Sequence, residues 1–178
     1  MAVIVSLLRG VNVGGHHKIG MDGLRSLYES LGLRDVQTCL QSGNVVFRTS
    51  ARDMAALAKR IEKGIEETFG FHSDVFLRTA AELRDVIAQC PFASRDGLDP
   101  AKLAVMFLAE EPGAEVRGEI AEVELRVGRR ELYIYFPHGM GQTKFSLKIA
   151  QTGRNWNTVR RLLDLAEEME ARTARARG

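Results

Sequence analysis

Five residues with the chemistry of an anion site follow the first apolar run of the chain. The run ends at Arg9, and Asn12, Gly14, Gly15 and Lys18 come within the next ten residues. The glycines let a ligand approach the backbone, while the guanidinium and the ammonium groups supply donors for phosphate or carboxylate oxygens. The spacing differs from the P-loop and dinucleotide fingerprints, so it predicts an anion site without naming the anion.

A second glycine-containing turn, QSGN at residues 41–44, is expected beside this loop. It separates two β-rich runs at residues 36–40 and 45–47, so the order from the start of the chain is strand, helix, strand, strand. In a split βαβ unit the first two strands run parallel and the third returns. The loop after the first strand and this turn therefore emerge at one edge, which adds Ser42 and Asn44 to the candidate site.

A structural interpretation of the same residues is equally supported. The glycines would only shape turns, and Asn12 and Asn44 would bond to loop backbone. Asp22 also opposes a phosphate site, because it falls in the first turn of the following helix and can satisfy the N–H groups there.

A polar cluster surrounds the only tryptophan, at residues 152–158. Arg154 and Asn157 could hold a phosphate or a base edge, and Trp156 could stack on a planar group. The alternative makes Asn155 a helix N-cap and Trp156 a core anchor, which we favour for Trp156, whereas both interpretations stay open for Arg154. Lys144 is a further candidate for the same site.

The elements that must position these residues form an α+β pattern. Strand-helix-strand-strand-helix-strand is expected over residues 1–90, and a related order over residues 102–178, with a turn-rich linker at residues 91–101. Asp53 is expected to cap the second helix, and a capping box at Thr79 and Glu82 to open the third. The prediction is completed by helices near residues 112–120 and at residues 143–150 and by a solvated or partly disordered tail from Glu170.

Composition fits a soluble globular protein, with 178 residues, 45% hydrophobic and 27% charged. The net charge of +2 neither predicts nor excludes a polyanion partner. Cys39 and Cys90 are far apart and lack metal spacing, and His16 and His17 have no companion ligands, so no metal site is expected. The opening residues are too short to span a membrane and lack a secretory leader, so a cytoplasmic protein without membrane contact is expected.

Three motifs resemble the bacterial DUF1697 family, whose function is unknown. They are LLRGVNVGG at residues 7–15, QSGNVVF at residues 41–47, and TKF at residues 143–145 with RNWNTV at residues 154–159. The resemblance implies a tandem of two ferredoxin-like (βαββαβ-type) subdomains packed as one compact unit. It assigns no role to any residue and names no cofactor.

Three functions follow as alternatives. The leading one is binding of an anionic ligand, a phosphorylated small molecule or a single-stranded nucleic acid, in a cleft between the subdomains. The second is an enzyme acting on a phosphorylated or acyl substrate, with Lys144 as acid, base or nucleophile. The third makes the motifs purely structural and leaves function to protein partners, a homodimer included.

Overall fold

The computed structural model describes residues 1–113, 123–140 and 148–176. The chain divides into two compact units, the first made of Met1–Glu82 with Leu162–Gly178 and the second of Leu83–Arg161. Each unit contains a four-stranded antiparallel sheet, so the expected α+β class is confirmed. The expected boundaries at residues 90 and 102 stay a prediction.

The first unit is built on a sheet of order β2-β3-β1-β4. Its elements are β1 (Ala2–Leu8), α1 (Met21–Ser30), β2 (Arg34–Thr38), β3 (Asn44–Thr49), α2 (Met54–Phe69) and β4 (Val75–Thr79). β1 pairs with β3 on one side and β4 on the other, both antiparallel. All its residues after Ala2 are buried, which explains why this strand is an apolar run interrupted only by Ser6.

The core of the first unit lies between this sheet and its two helices. Ile4, Leu8 and Phe47 from the strands pack with Leu24 of α1 and Ile61 of α2. Each helix must begin and end at the right residue for these apolar side chains to face the sheet. Local sequence signals set those ends.

Two predicted helix caps are confirmed. The Asp53 carboxylate accepts the N–H of Ala56 at 2.9 Å at the start of α2. Thr79 and Glu82 form the reciprocal capping box, at 3.0 and 2.9 Å, that opens α3 (Ala80–Ala88).

The second unit repeats the arrangement with the order β6-β7-β5-β8. Its strands are β5 (Leu103–Leu108), β6 (Glu124–Val127), β7 (Glu131–Tyr135) and β8 (Gln151–Asn155). Ala104, Leu108, Leu132 and Ile134 form an apolar cluster on one face. The helix expected near residues 112–120 falls mostly outside the described residues, as does most of the one expected at 143–150, whose last three residues are not helical.

The end of the chain differs from the prediction at two points. β8 was not predicted, because its sequence QTGRN has little β-propensity and is extended by pairing with β5. The tail from Glu170, expected to be solvated or partly disordered, is mostly exposed as expected, but it is ordered and continues the last helix, α4 (Trp156–Ala176). Met169, the last strongly apolar residue before the tail, is buried and ties this stretch to the first unit.

Candidate functional site

Three segments of the first unit meet at one end of its sheet. They are residues 9–20 after β1, residues 39–43 before β3, and residues 70–74 before β4, and we call them together the loop edge. The Leu8 N–H donates to the Gly43 carbonyl at 2.9 Å, and the Arg9 N–H to the Asp74 carbonyl at 3.0 Å. The predicted proximity of the first loop and the QSGN turn is therefore confirmed.

Arg9 lies half-exposed at this edge and is held by an acidic partner. Its Nη1 donates to Asp74 Oδ2 at 3.1 Å, and His72 Nε2 lies 3.0 Å from Asp74 Oδ1. The hydrogen bond to Asp74 raises the pKa of His72, and the hydrogen bond from His72, aided by that from Arg9, lowers the pKa of Asp74. One carboxylate thus orients two side chains that carry or acquire positive charge.

Asn12 closes its own loop. The side-chain amide donates to the carbonyls of Ile19, at 3.1 Å, and Gln41, at 2.6 Å, and its oxygen accepts the Ile19 N–H at 2.9 Å. The backbone of Asn12 has φ +56°, a left-handed conformation that asparagine tolerates better than most residues. These bonds match the structural interpretation of Asn12.

Asn44 and Ser42 are also occupied within the fold. Asn44 is fully buried, and its amide donates to the Cys39 carbonyl and the Ser42 hydroxyl, each at 2.9 Å. Gly43 between them has φ +76°, and an added Cβ would come within 2.9 Å of the Leu8 Cβ. This turn therefore packs tightly against the end of β1.

Gly14, Gly15 and Lys18 are, with Arg9, the exposed members of the predicted set in this loop. The glycines have φ +58° and +79°, with open space where a Cβ would stand, and sit between the bridged residues Val13 and His16. Among the described residues, their backbone N–H groups have no hydrogen-bond partner. Lys18 is exposed on the same loop.

The loop edge contains residues that the sequence prediction missed. His17 stacks on Phe71 with ring centroids 4.3 Å apart, and Asp74 fixes Arg9 from 65 residues away. The antiparallel rule could have indicated this segment, since a strand that pairs antiparallel with β1 begins beside the end of β1.

The second predicted cluster lies in the other unit. Arg154 is buried on β8 and donates to the Thr152 hydroxyl and the Gly153 carbonyl, both at 2.8 Å. Burial lowers its pKa to about 10, which leaves it charged at neutral pH. Trp156 is buried, as favoured from the sequence, and Asn157 is exposed.

Asn155 caps α4 by accepting the Thr158 N–H at 2.8 Å, as expected. Lys144 lies outside the described residues, so its place in the candidate site stays a prediction.

Two features are absent from the described ranges. No group of three or more histidine, cysteine, aspartate or glutamate side chains there is arranged to hold a metal ion. In the same ranges, no helix is both long and apolar enough to cross a membrane.

Comparison with known proteins shows first a shared fold and then the family. A conserved bacterial protein, SP0830 from Streptococcus pneumoniae, shares the fold with a TM-score of 0.74 at 22% identity, over 93% of this chain and 98% of that one. Residues 1–133 match the family described as "Protein of unknown function (DUF1697)". The chain belongs to this family, and the matched residues include the first two motifs, while the third lies beyond them. No curated protein matches the chain.

Proposed function

We propose that the protein binds a phosphate-bearing ligand, a phosphorylated small molecule or a single-stranded nucleic acid, at the loop edge. The observation that carries the proposal is a pair of adjacent N–H donors, on Gly14 and Gly15, without partners in the described part of the chain. They share one exposed loop with the cations Arg9 and Lys18. Unpaired N–H groups beside exposed cations are the donors that phosphate oxygens require.

The rigidity of the loop supports binding. Asn12 ties the loop to Ile19 and Gln41, and the Ser73 hydroxyl donates to the Arg9 carbonyl at 2.9 Å. A loop ordered before binding loses less conformational entropy when the ligand arrives. In this proposal Asn12, Ser42 and Asn44 build the site and the exposed groups contact the ligand.

Asp74 positions Arg9 and leaves most of its N–H donors available. The carboxylate accepts one hydrogen bond from Nη1, and a guanidinium has five N–H donors in all. A ligand phosphate can therefore bind the remaining donors of Arg9 while Asp74 keeps the side chain in place.

Thermal unfolding tests the proposal. The full chain is heated with pyrophosphate, a nucleoside triphosphate or a short oligothymidylate, and a ligand of the native state raises the unfolding temperature. We expect at least one shift, largely lost in Arg9→Gln/Lys18→Gln. The matched control, Lys63→Gln, removes an exposed cation of α2 and keeps the shift. Absence of every shift, or equal shifts in both variants, refutes the proposal.

A structural role for the motifs is the second candidate, favoured by the inward amides of Asn12 and Asn44. Under this alternative Arg9→Gln lowers the unfolding temperature and no ligand raises it. The hypothesis from the sequence that Lys144, Arg154 and Asn157 also contact the anion stays a prediction, and Arg154→Gln in the same assay tests it for Arg154.

We also propose that both units are ferredoxin-like and that the protein is a bacterial, cytoplasmic one. The shared strand order, second-third-first-fourth in each sheet, supports the fold assignment. Cys39 and Cys90 are buried and form no disulfide in the described part of the chain, which suits a reducing compartment. Light scattering of the purified chain would test a homodimer.

A further inference from the structure

A concave surface of the first unit lies away from the loop edge. It is a cavity of about 480 Å³ between α1, β2, β3 and α4, and we call it the arginine pocket. Its charged lining consists of Arg25, Glu29, Asp35, Arg48 and Arg172. β3 begins at the loop edge with Asn44 and reaches the pocket at Arg48, so four residues of extended strand, about 13 Å, separate the two.

Arg48 builds the wall of this pocket. Its Nη1 lies 3.2 Å from Asp35 Oδ2, and its Nη2 donates to the Met169 carbonyl of α4. Only 14% of the Arg48 side chain is exposed, and its Nε is shielded without a hydrogen-bond partner. Both Nη groups of Arg48 are already engaged. Arg48 therefore contributes a fixed positive charge to the pocket, and Asp35 supplies the carboxylate that lies against it.

The backbone at Asp35 is shaped for this contact. Asp35 has φ +52°, and the pairing of β2 with β3 shifts register between Arg34 and Gln37. A bulge of this kind redirects a side chain from its regular place on a strand. At Asp35 the bulge coincides with the contact between its carboxylate and Arg48. These two side chains form one wall of the pocket.

Two further arginines, Arg25 and Arg172, line the pocket and have N–H donors that a ligand can use. Arg25 makes a 3.4 Å ion pair with Asp22, but 97% of that aspartate side chain is exposed, so water competes strongly for the pair. Arg172, one turn of α4 after Met169, forms no ion pair with any described residue. Guanidinium groups on two different elements are suited to hold one oxyanion between them.

Glu29 adds a negative charge to the lining of the pocket. It follows Arg25 by one turn of α1 and has no ion-pair partner among the described residues. Together with Asp35 it disfavours a long polyanion and favours an ammonium group close to the bound oxyanion. The volume lies within the range of small-molecule sites.

We propose that the arginine pocket binds a small zwitterionic molecule, whose phosphate or carboxylate lies between Arg25 and Arg172 and whose ammonium group meets Glu29. This site shares no residue with the loop edge. Its ligand is compact and carries both charges, whereas the ligand proposed above is an anion.

Calorimetric titration of the full chain with O-phosphoethanolamine tests the proposal. Inorganic phosphate and ethanolamine serve as probes for each charge alone. We expect O-phosphoethanolamine to bind at least about tenfold more tightly than either, since each pole adds a charge-assisted hydrogen bond. Circular dichroism of every variant confirms that it is folded.

Charge-neutral variants locate the binding. Arg172→Gln and Arg25→Gln should each weaken O-phosphoethanolamine about tenfold, and Glu29→Gln should remove its advantage over phosphate. Lys63→Gln is the matched control and should bind as the wild type does. No saturable binding, binding unchanged in Arg172→Gln and Arg25→Gln, or an advantage over phosphate that survives Glu29→Gln overturns the proposal. None of these results depends on Arg9 or Lys18, so the two sites stand or fall separately.

Discussion

Replacing Asn12 by alanine should loosen the loop edge without touching a core side chain. The change removes three hydrogen bonds, two of them part-buried and one exposed, and leaves alanine at φ +56°. Part-buried bonds are worth about 1 kcal/mol each and the exposed one less. With about 1 kcal/mol for the left-handed conformation, the loop should lose about 3 kcal/mol of local stability.

Hydrogen exchange at the Ile19 amide measures this loss directly, because that N–H donates to Asn12 Oδ1. A loss of about 3 kcal/mol corresponds to exchange about 100-fold faster in Asn12→Ala. Asn12→Gly makes the same bonds impossible but accepts the positive φ, so it should exchange several-fold more slowly than Asn12→Ala. Equal exchange in wild type and Asn12→Ala, or faster exchange in Asn12→Gly than in Asn12→Ala, refutes the assignment of Asn12 as the clasp of the loop.

Two further perturbations probe the same edge. Gly43→Ala should lower the free energy of unfolding by at least about 2 kcal/mol, because its Cβ would meet Leu8 at 2.9 Å. Gly14→Ala has open space around it and should lower it by only about 1 kcal/mol. Similar losses in the two variants, measured by denaturant unfolding, would contradict the packing described. His72→Gln should lower stability more at pH 5.5 than at pH 8.5. The pKa of His72 is raised in the folded state, so its contribution is complete below about 6.5 and declines as the pH rises through the folded value. At 56% exposure the effect should stay below about 1 kcal/mol, and a larger loss at pH 8.5 would contradict the pairing with Asp74.

Local signals in the sequence predicted much of the fold. Asp53, Asn155 and the Thr79 capping box act within three residues of themselves, so their roles can be read without knowing the tertiary structure. The proximity of the first loop and the QSGN turn followed from strand order, because a split βαβ unit has few possible arrangements.

Features that depend on distant partners were not predictable in the same way. Asp74 reaches Arg9 across 65 residues, and neither residue signals the other. β8 is extended because β5 supplies its hydrogen bonds, and Gly153 sits opposite Met106, where an added Cβ would come within 2.7 Å of the sulfur. Thr152 and Arg154 of β8 are buried at alternate positions, the period of a strand, but a threonine and an arginine do not signal burial in the sequence.

Residue-resolved NMR titration of the full chain with pyrophosphate tests the central claim most directly. If the loop edge binds phosphate, the amide signals of Gly14 and Gly15 move in a saturable way, and Arg9→Gln/Lys18→Gln abolishes the movement while Lys63→Gln preserves it. If pyrophosphate leaves these two amides unmoved, the loop edge is not a phosphate site and the glycines serve the turn alone.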